Sequence, residues 1–260
     1  MLEAISLGYR VEGRAILDDF SARFAPGGLH LLVGPNGAGK STAVRLLSGG
    51  LRPTSGTLLY EGSSAAATPA SLLARRRAVL SQAVEVAFPL TVREVVAMGR
   101  YPHFVGRPGV ADDRICDEVM AYFEVDALGE RSYATLSGGE RQRVNFARVL
   151  AQVWLPTPGS CRYLFLDEPL TFLDIAHQLD FMRKVKNFAG QSDVVTVGVL
   201  HDLGLAARFA DRLLVLHQGA LVACGAGGDV LDAELVRRVF AVEPLFLSAP
   251  GREGAHLAFE

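Results

Sequence analysis

Largely apolar runs of four to seven residues stand at 29–33, 163–166, 194–200 and 213–216, each bounded by polar or turn-forming residues. Runs this short, with no helical spacing, predict strands buried on both faces, as in a parallel sheet. Residues 2–33 as a whole read as strands joined by turns at Glu12-Gly13-Arg14 and Pro26-Gly27-Gly28. Residues 42–47 carry helical spacing directly after a glycine-rich loop. Pro53-Thr54-Ser55-Gly56 predicts a turn into a strand at 57–60, the small polar stretch 63–71 a loop, and 77–82 a short β-like run ending at Gln82. Between 91 and 155 the period lengthens. Apolar positions recur at Val92, Val95 and Val96, at Ile115, Val119, Tyr122 and Phe123, and at Val144, Ala147 and Leu150, with Gly and Pro interrupting at 99–109. The pattern predicts an α/β fold over 1–260 as one domain, its core split by a helical subdomain at about 84–158. No internal repeat is visible.

Composition narrows the partners. The chain has 260 residues and a net charge of −2, and no Lys/Arg run exceeds Arg75-Arg76-Arg77, which reads as a solvated turn. Nucleic acid is therefore not expected as a partner. No segment reaches the ~18–20 consecutive apolar residues of a spanning helix, and the N-terminus shows no secretory pattern. Cys116, Cys161 and Cys224 share no C-x-x-C spacing and read as reduced thiols of a cytosolic protein. Work at a membrane would require docking onto partners that span it.

The chemistry begins where the first apolar run ends. Gly34, Pro35, Asn36, Gly37, Ala38, Gly39, Lys40, Ser41 and Thr42 form G-x-x-x-x-G-K-S between a predicted strand and a predicted helix. The glycines let successive N–H groups turn toward phosphate oxygens, Lys40 brings a point charge to the β- and γ-phosphates, and the Ser41 hydroxyl can ligate Mg²⁺. The phosphates would sit at the helix N-terminus. A second apolar run ends in Asp167-Glu168-Pro169. Ligands of open α/β sheets bind at the carboxyl ends of strands. Asp167 is placed to hold Mg²⁺, directly or through water, and Glu168 to polarise an attacking water as general base. Ser137-Gly138-Gly139-Glu140 opens a helix-patterned stretch. Ser137 with Glu140 fits a capping box, and the same residues expose a hydroxyl and bare N–H groups as an anion site.

Residues 34–42, Leu136–Glu140 and 164–168, in this order and spacing, resemble the ATP-binding-cassette ATPases, the Leu-Ser-Gly-Gly signature being the most specific of the three. The resemblance covers almost the whole chain. It implies a phosphate-loop α/β core, an antiparallel β-subdomain and a helical subdomain carrying the signature, with ATP and Mg²⁺ as ligands. Further positions follow from it. Gln82 resembles the glutamine that contacts Mg²⁺ or the lytic water, and Asp174, after Leu173, resembles the aspartate of the D-loop. His201 resembles the switch histidine at the γ-phosphate, and Tyr9 stands where an aromatic stacks on adenine. One departure stands out: after Pro169 the chain reads Leu170-Thr171-Phe172 where the family has Thr-Ser/Asn-x, which puts the local hydrogen bonding in question.

The resemblance also implies partners. Ser137, Gly138 and Gly139 of one copy would cover ATP held by Lys40 of another, in a homodimer. Two membrane-spanning permease subunits would dock in a groove beside Gln82 lined by 84–106, at the cytoplasmic face of a bacterial inner membrane. Residues 87–96 and 99–103 resemble importers of iron chelates, haem and cobalamin, and the run 75–80, the segment 88–92 and the insert 154–161 are similar to haemin-import ATPases, which implies haem as cargo and a periplasmic haem-binding protein. Ferric-siderophore or cobalamin import is the alternative within transport, and a soluble non-transport cassette ATPase the alternative outside it. His103 reads as a turn or docking residue rather than a haem ligand.

Overall fold

A computed structural model describes residues 1–80, 89–248 and 255–259. The chain opens with β1 (Leu2–Val11), β2 (Arg14–Phe24) and β3 (Gly28–Val33), followed by α1 (Lys40–Leu47), β4 (Ser55–Tyr60), β5 (Ser63–Ser64), α2 (Ala70–Arg76) and β6 (Arg77–Leu80). Helices α3 (Val92–Ala97), α4 (Val110–Tyr122) and α5 (Gly138–Val153) come next, with a 3₁₀ turn over Met98–His103. Then β7 (Arg162–Asp167), α6 (Ile175–Ala189), β8 (Val194–Val199), α7 (Leu203–Phe209), β9 (Arg212–His217) and β10 (Ala220–Ala226) alternate. The chain closes with α8 (Ala233–Phe240) and the hairpin β11 (Pro244–Ser248) and β12 (Ala255–Phe259).

Two sheets share the molecule. Six strands run in the order β10-β9-β3-β8-β7-β6, parallel except for β10, and four form the antiparallel order β2-β1-β4-β5. Every residue of β3 and β8 is buried, which is why these strands read as continuous apolar runs instead of alternating ones. Side chains nonetheless leave the strands alternately on two faces. Leu32, Phe165, Val197 and Leu214 meet α1 and the antiparallel sheet. Leu31, Leu164, Leu166 and Leu213 share a second cluster with α3 to α6. Phe146 of α5 stacks on Phe181 of α6 at 3.7 Å, and Trp154 on Phe188 at 6.1 Å. Such burial is worth ~1.5–3 kcal/mol for each large side chain, so these clusters fix how the helices sit on the sheet.

Two expectations need correction. Residues 63–71 are not a plain loop: Ser63–Ser64 pair with β4, and α2 starts at Ala70. Arg75-Arg76-Arg77 is not a solvated turn: it ends α2 and starts β6. The ions have acceptors there, Arg76 meeting Glu61 at 2.7 Å and Arg75 Nε donating to the Pro102 carbonyl at 2.9 Å. The stretch 99–109 interrupts the helices as expected, α3 ending at Ala97 and α4 starting at Val110 with the 3₁₀ turn Met98–His103 between them. The register then prepares a site. Leu32 of β3 and Asp167 of β7 both lie beside Val199 of β8, so three parallel strands end together.

Candidate functional site

The edge where β3, β7 and β8 end gathers Lys40, Asp167, Glu168 and His201. From β3 the chain turns at Gly34 (φ 156), where an added Cβ would stand 2.1 Å from the Leu216 carbonyl oxygen. It enters α1 through Gly39, a left-handed N-cap (φ 95) that offers no side-chain hydrogen bond. No acid occupies the first turn of α1. The helix therefore presents its positive end and orphan N–H groups without a side-chain cap of its own. Lys40 is buried, and its Nζ donates to the carbonyls of Gly34 at 2.8 Å and Pro35 at 2.9 Å. Burial lowers its pKa, an effect that the charges of Glu168 and Asp167 oppose. Asn36 and Gly37 are exposed at the loop's tip, and Ala38 is buried beneath it.

Asp167 closes β7 and accepts a hydrogen bond from Ser41 Oγ at 2.9 Å. Burial raises its pKa, with the Ser41 hydrogen bond opposing and the Glu168 charge adding to the rise. The next residue turns away: Glu168 lies in the left-handed region (φ 51), and its Oε1 is 2.6 Å from His201 Nε2. Thus the sheet edge brings together two pairs, Ser41 with Asp167 and Glu168 with His201, beside a lysine and an uncapped helix. A hydroxyl and a carboxylate are the hard oxygen donors that suit Mg²⁺ together with phosphate oxygens, and an uncapped helix start with a buried lysine suits those phosphates. The residues present fit a magnesium nucleotide. Thr42 follows Ser41 in α1, half-buried.

The remaining candidates fall elsewhere. Ser137 caps α5: its Oγ accepts from the Glu140 amide at 3.3 Å, and Glu140 Oε2 accepts from the Ser137 amide at 2.8 Å. Gly138 and Gly139 follow as the first helical residues. Asp174 caps α6, its Oδ1 accepting from the His177 amide at 2.9 Å, and these contacts hold its pKa low. Tyr9 is half-buried on β1 against the α1 cluster. Gln82 lies outside the described residues, as do 84–88 of the expected docking groove.

Sequence reasoning missed how the departure after Pro169 is held. Thr171 Oγ1 donates to the Glu168 carbonyl at 3.1 Å, Gln142 Nε2 to that of Pro169 at 2.7 Å, and Leu170 packs on the core. Phe172, 76% exposed, backs onto Gly138, where an added Cβ would stand 3.4 Å from the Phe172 Cβ. The signature and the loop after Glu168 are thus neighbours in one chain. A positive φ at Phe172 (67) has no signal in the sequence.

Residues 17–171 match the sequence profile of the ABC transporter family. The chain is 46% identical to the hemin import ATP-binding protein HmuV of Gloeobacter violaceus over 250 residues, which are 96% of this chain and 90% of that protein. It is 39% identical to the hemin import ATP-binding protein HmuV of Escherichia coli O157:H7, covering 96% of each. Among solved structures, a metal-chelate type ABC transporter in an inward-facing conformation superposes with a TM-score of 0.82 at 23% identity, over all of this chain and 96% of that one. At that identity the likeness speaks for the fold. Among the described residues no helix is long and apolar enough to cross a membrane.

Proposed function

This chain belongs to the ABC transporter family and is an ATPase of it, and from that premise we propose that it powers the import of haem through separate permease subunits. The observation that carries the catalytic part is the meeting of Ser41–Asp167 and Glu168–His201 beside Lys40. In this reading Lys40 exchanges the carbonyls of Gly34 and Pro35 for β- and γ-phosphate oxygens, and the backbone of residues 34–42 with the N-terminus of α1 cradles the rest. Tyr9 lies against the adenine. Ser41 and Asp167, with Gln82, would hold Mg²⁺, which would supply charge neutralisation on the phosphates. Glu168 takes the proton of the attacking water, and His201, 2.6 Å away, fixes the carboxylate and reaches the γ-phosphate.

Two copies face each other, so that Ser137, Gly138 and Gly139 of one complete the γ-phosphate site of its partner, with Asp174 at the shared surface. Hydrolysis removes that bridge and lets the pair open. The permease takes up the motion at residues 84–106, on the cytoplasmic face of the inner membrane, and a periplasmic protein delivers the cargo. Haem as that cargo is supported by the two hemin-import relatives, which match nearly the full chain. The test is reconstitution of the chain with its permease and binding protein in proteoliposomes. Haem is expected to stimulate phosphate release. Stimulation by a ferric siderophore or cobalamin, with none by haem, overturns the haem assignment.

A further inference from the structure

Helix α5 starts at the Ser137–Gly139 loop and runs 16 residues, about 24 Å. The last carbonyls of a helix lack intrahelical donors, and α5 has no basic residue in its own last turn. Other elements supply what is missing. Arg100 Nη1 donates to the Ala151 carbonyl at 2.6 Å, and the His103 ring shares Nε2 with the Gln152 carbonyl at 2.7 Å. Arg162 Nη1 donates to the carbonyls of Val153 at 2.9 Å and Trp154 at 2.7 Å. Because a carbonyl only accepts, His103 must carry its hydrogen on Nε2.

Arg100 and His103 both belong to the 3₁₀ turn Met98–His103. That turn is pressed onto α5: a Cβ at Gly99 would stand 2.0 Å from the Arg148 carbonyl oxygen. Arg100 is buried, with Nε on Asp112 Oδ1 at 2.9 Å, and Asp112 Oδ2 accepts from the Gly109 amide at 3.0 Å. Gln152 Nε2 reaches the carbonyls of Ala74 and Arg77 at 2.7 and 2.8 Å, and Arg75 Nε that of Pro102 at 2.9 Å. One bonded unit therefore joins the turn, the end of α5 and the α2–β6 junction. Tyr101 of the turn is 60% exposed, and Val105 just beyond it 97%.

We propose that the turn Met98–His103 is the handle of α5, and that Arg100 and His103 are positioning residues which convert a push on the turn into a tilt of α5 and so move Ser137–Gly139 at the nucleotide. The turn grips the carbonyls of Ala151 and Gln152 while Arg162 of β7 holds those of Val153 and Trp154, so a push on the turn levers α5 about its sheet-held end, because packed interiors shift between discrete arrangements and do not stretch. This rests on the reading above that permease subunits press on residues 84–106.

The readout is the ratio of ATPase activity of the chain assembled with its permease, without cargo, to that of the free chain. In His103→Phe the free chain should keep its turnover and its KM for ATP within about twofold, while the ratio moves toward unity by about fivefold or more. His103→Gln, whose amide can donate to the Gln152 carbonyl, should restore most of the wild-type ratio. A ratio unchanged in His103→Phe overturns the proposal. So does a proportional fall of both activities, which is what a merely structural helix cap would give. A wild-type ratio of one overturns both the handle and the permease reading. A wild-type complex that shows the ratio but ignores added haem overturns only the cargo.

Discussion

Glu168 pays for its direction with backbone strain: at φ 51 a non-glycine residue gives up roughly 1–2 kcal/mol. The turn it makes sends two consecutive acids to different partners, Asp167 to Ser41 and Glu168 to His201. Glutamine at 168 preserves the shape and an oxygen acceptor for His201 but cannot take a proton from water. Glu168→Gln should therefore cut turnover by about 10²–10⁴ while the variant still binds nucleotide, measured by phosphate release beside binding of a fluorescent ATP analogue. Turnover within a few fold of wild type would remove Glu168 from the role of base. At this scale the sequence was legible wherever the chemistry is local. Lys40 and Ser41 are neighbours in a motif, and so are Asp167 and Glu168. The pairing of Glu168 with His201 was not legible, because it depends on the register that sets Asp167 beside Val199 across two strands. The left-handed Phe172 was equally silent, since no glycine, asparagine or aspartate marks the position and Gln142, which holds the Pro169 carbonyl of the same loop, is distant in sequence.

Among the elements, the phosphate loop and α1 show how backbone space selects glycine unequally. Gly34 and Gly37 both have positive φ, 156 and 77, but their surroundings differ. A Cβ at Gly34 meets the Leu216 carbonyl oxygen at 2.1 Å, backbone that cannot swing aside, whereas at Gly37 nothing lies within 4 Å. Gly34→Ala should then destabilise the chain by about 3 kcal/mol or more and Gly37→Ala by only about 1–2 kcal/mol, compared as urea midpoints without nucleotide. Equal midpoints would contradict the close approach of β9 to the loop. The buried strands were legible because burial on both faces leaves an unbroken apolar run, as in β3 and β8. Helix α2 was not. Leu73 is its one buried residue, so no apolar stripe marks it, and the Ala, Ser and Thr before it resemble a loop. The arginines that follow were misread for the same reason: their acceptors, Glu61 and the Pro102 carbonyl, are distant in sequence.

At the scale of the whole molecule, the start of α5 is where the proposed second copy can be tested. The capping box of α5 uses the Glu140 amide, not those of Gly138 and Gly139, so the positive end of this helix keeps N–H groups for an outside anion. Phe172, largely exposed beside Gly138, adds apolar surface to the same region. Nucleotide bound at Lys40 of one copy would supply the anion for α5 of the other, and the pair would close with two-fold symmetry. Trapping the unhydrolysed nucleotide should make this association visible: Glu168→Gln with ATP should sediment as a dimer, and without ATP as a monomer. Adding Ser137→Arg fills the approach of the γ-phosphate with a long side chain and removes the cap, which alone costs ~1 kcal/mol. Ser137→Ala removes the cap without the bulk and serves as the control. The arginine variant should stay monomeric with ATP while still binding one nucleotide per chain, and the alanine variant should weaken the dimer far less. If Ser137→Arg dimerises as well as its parent, the signature does not face the partner's nucleotide, and the two-copy site must be given up even though each chain remains an ATPase of its family.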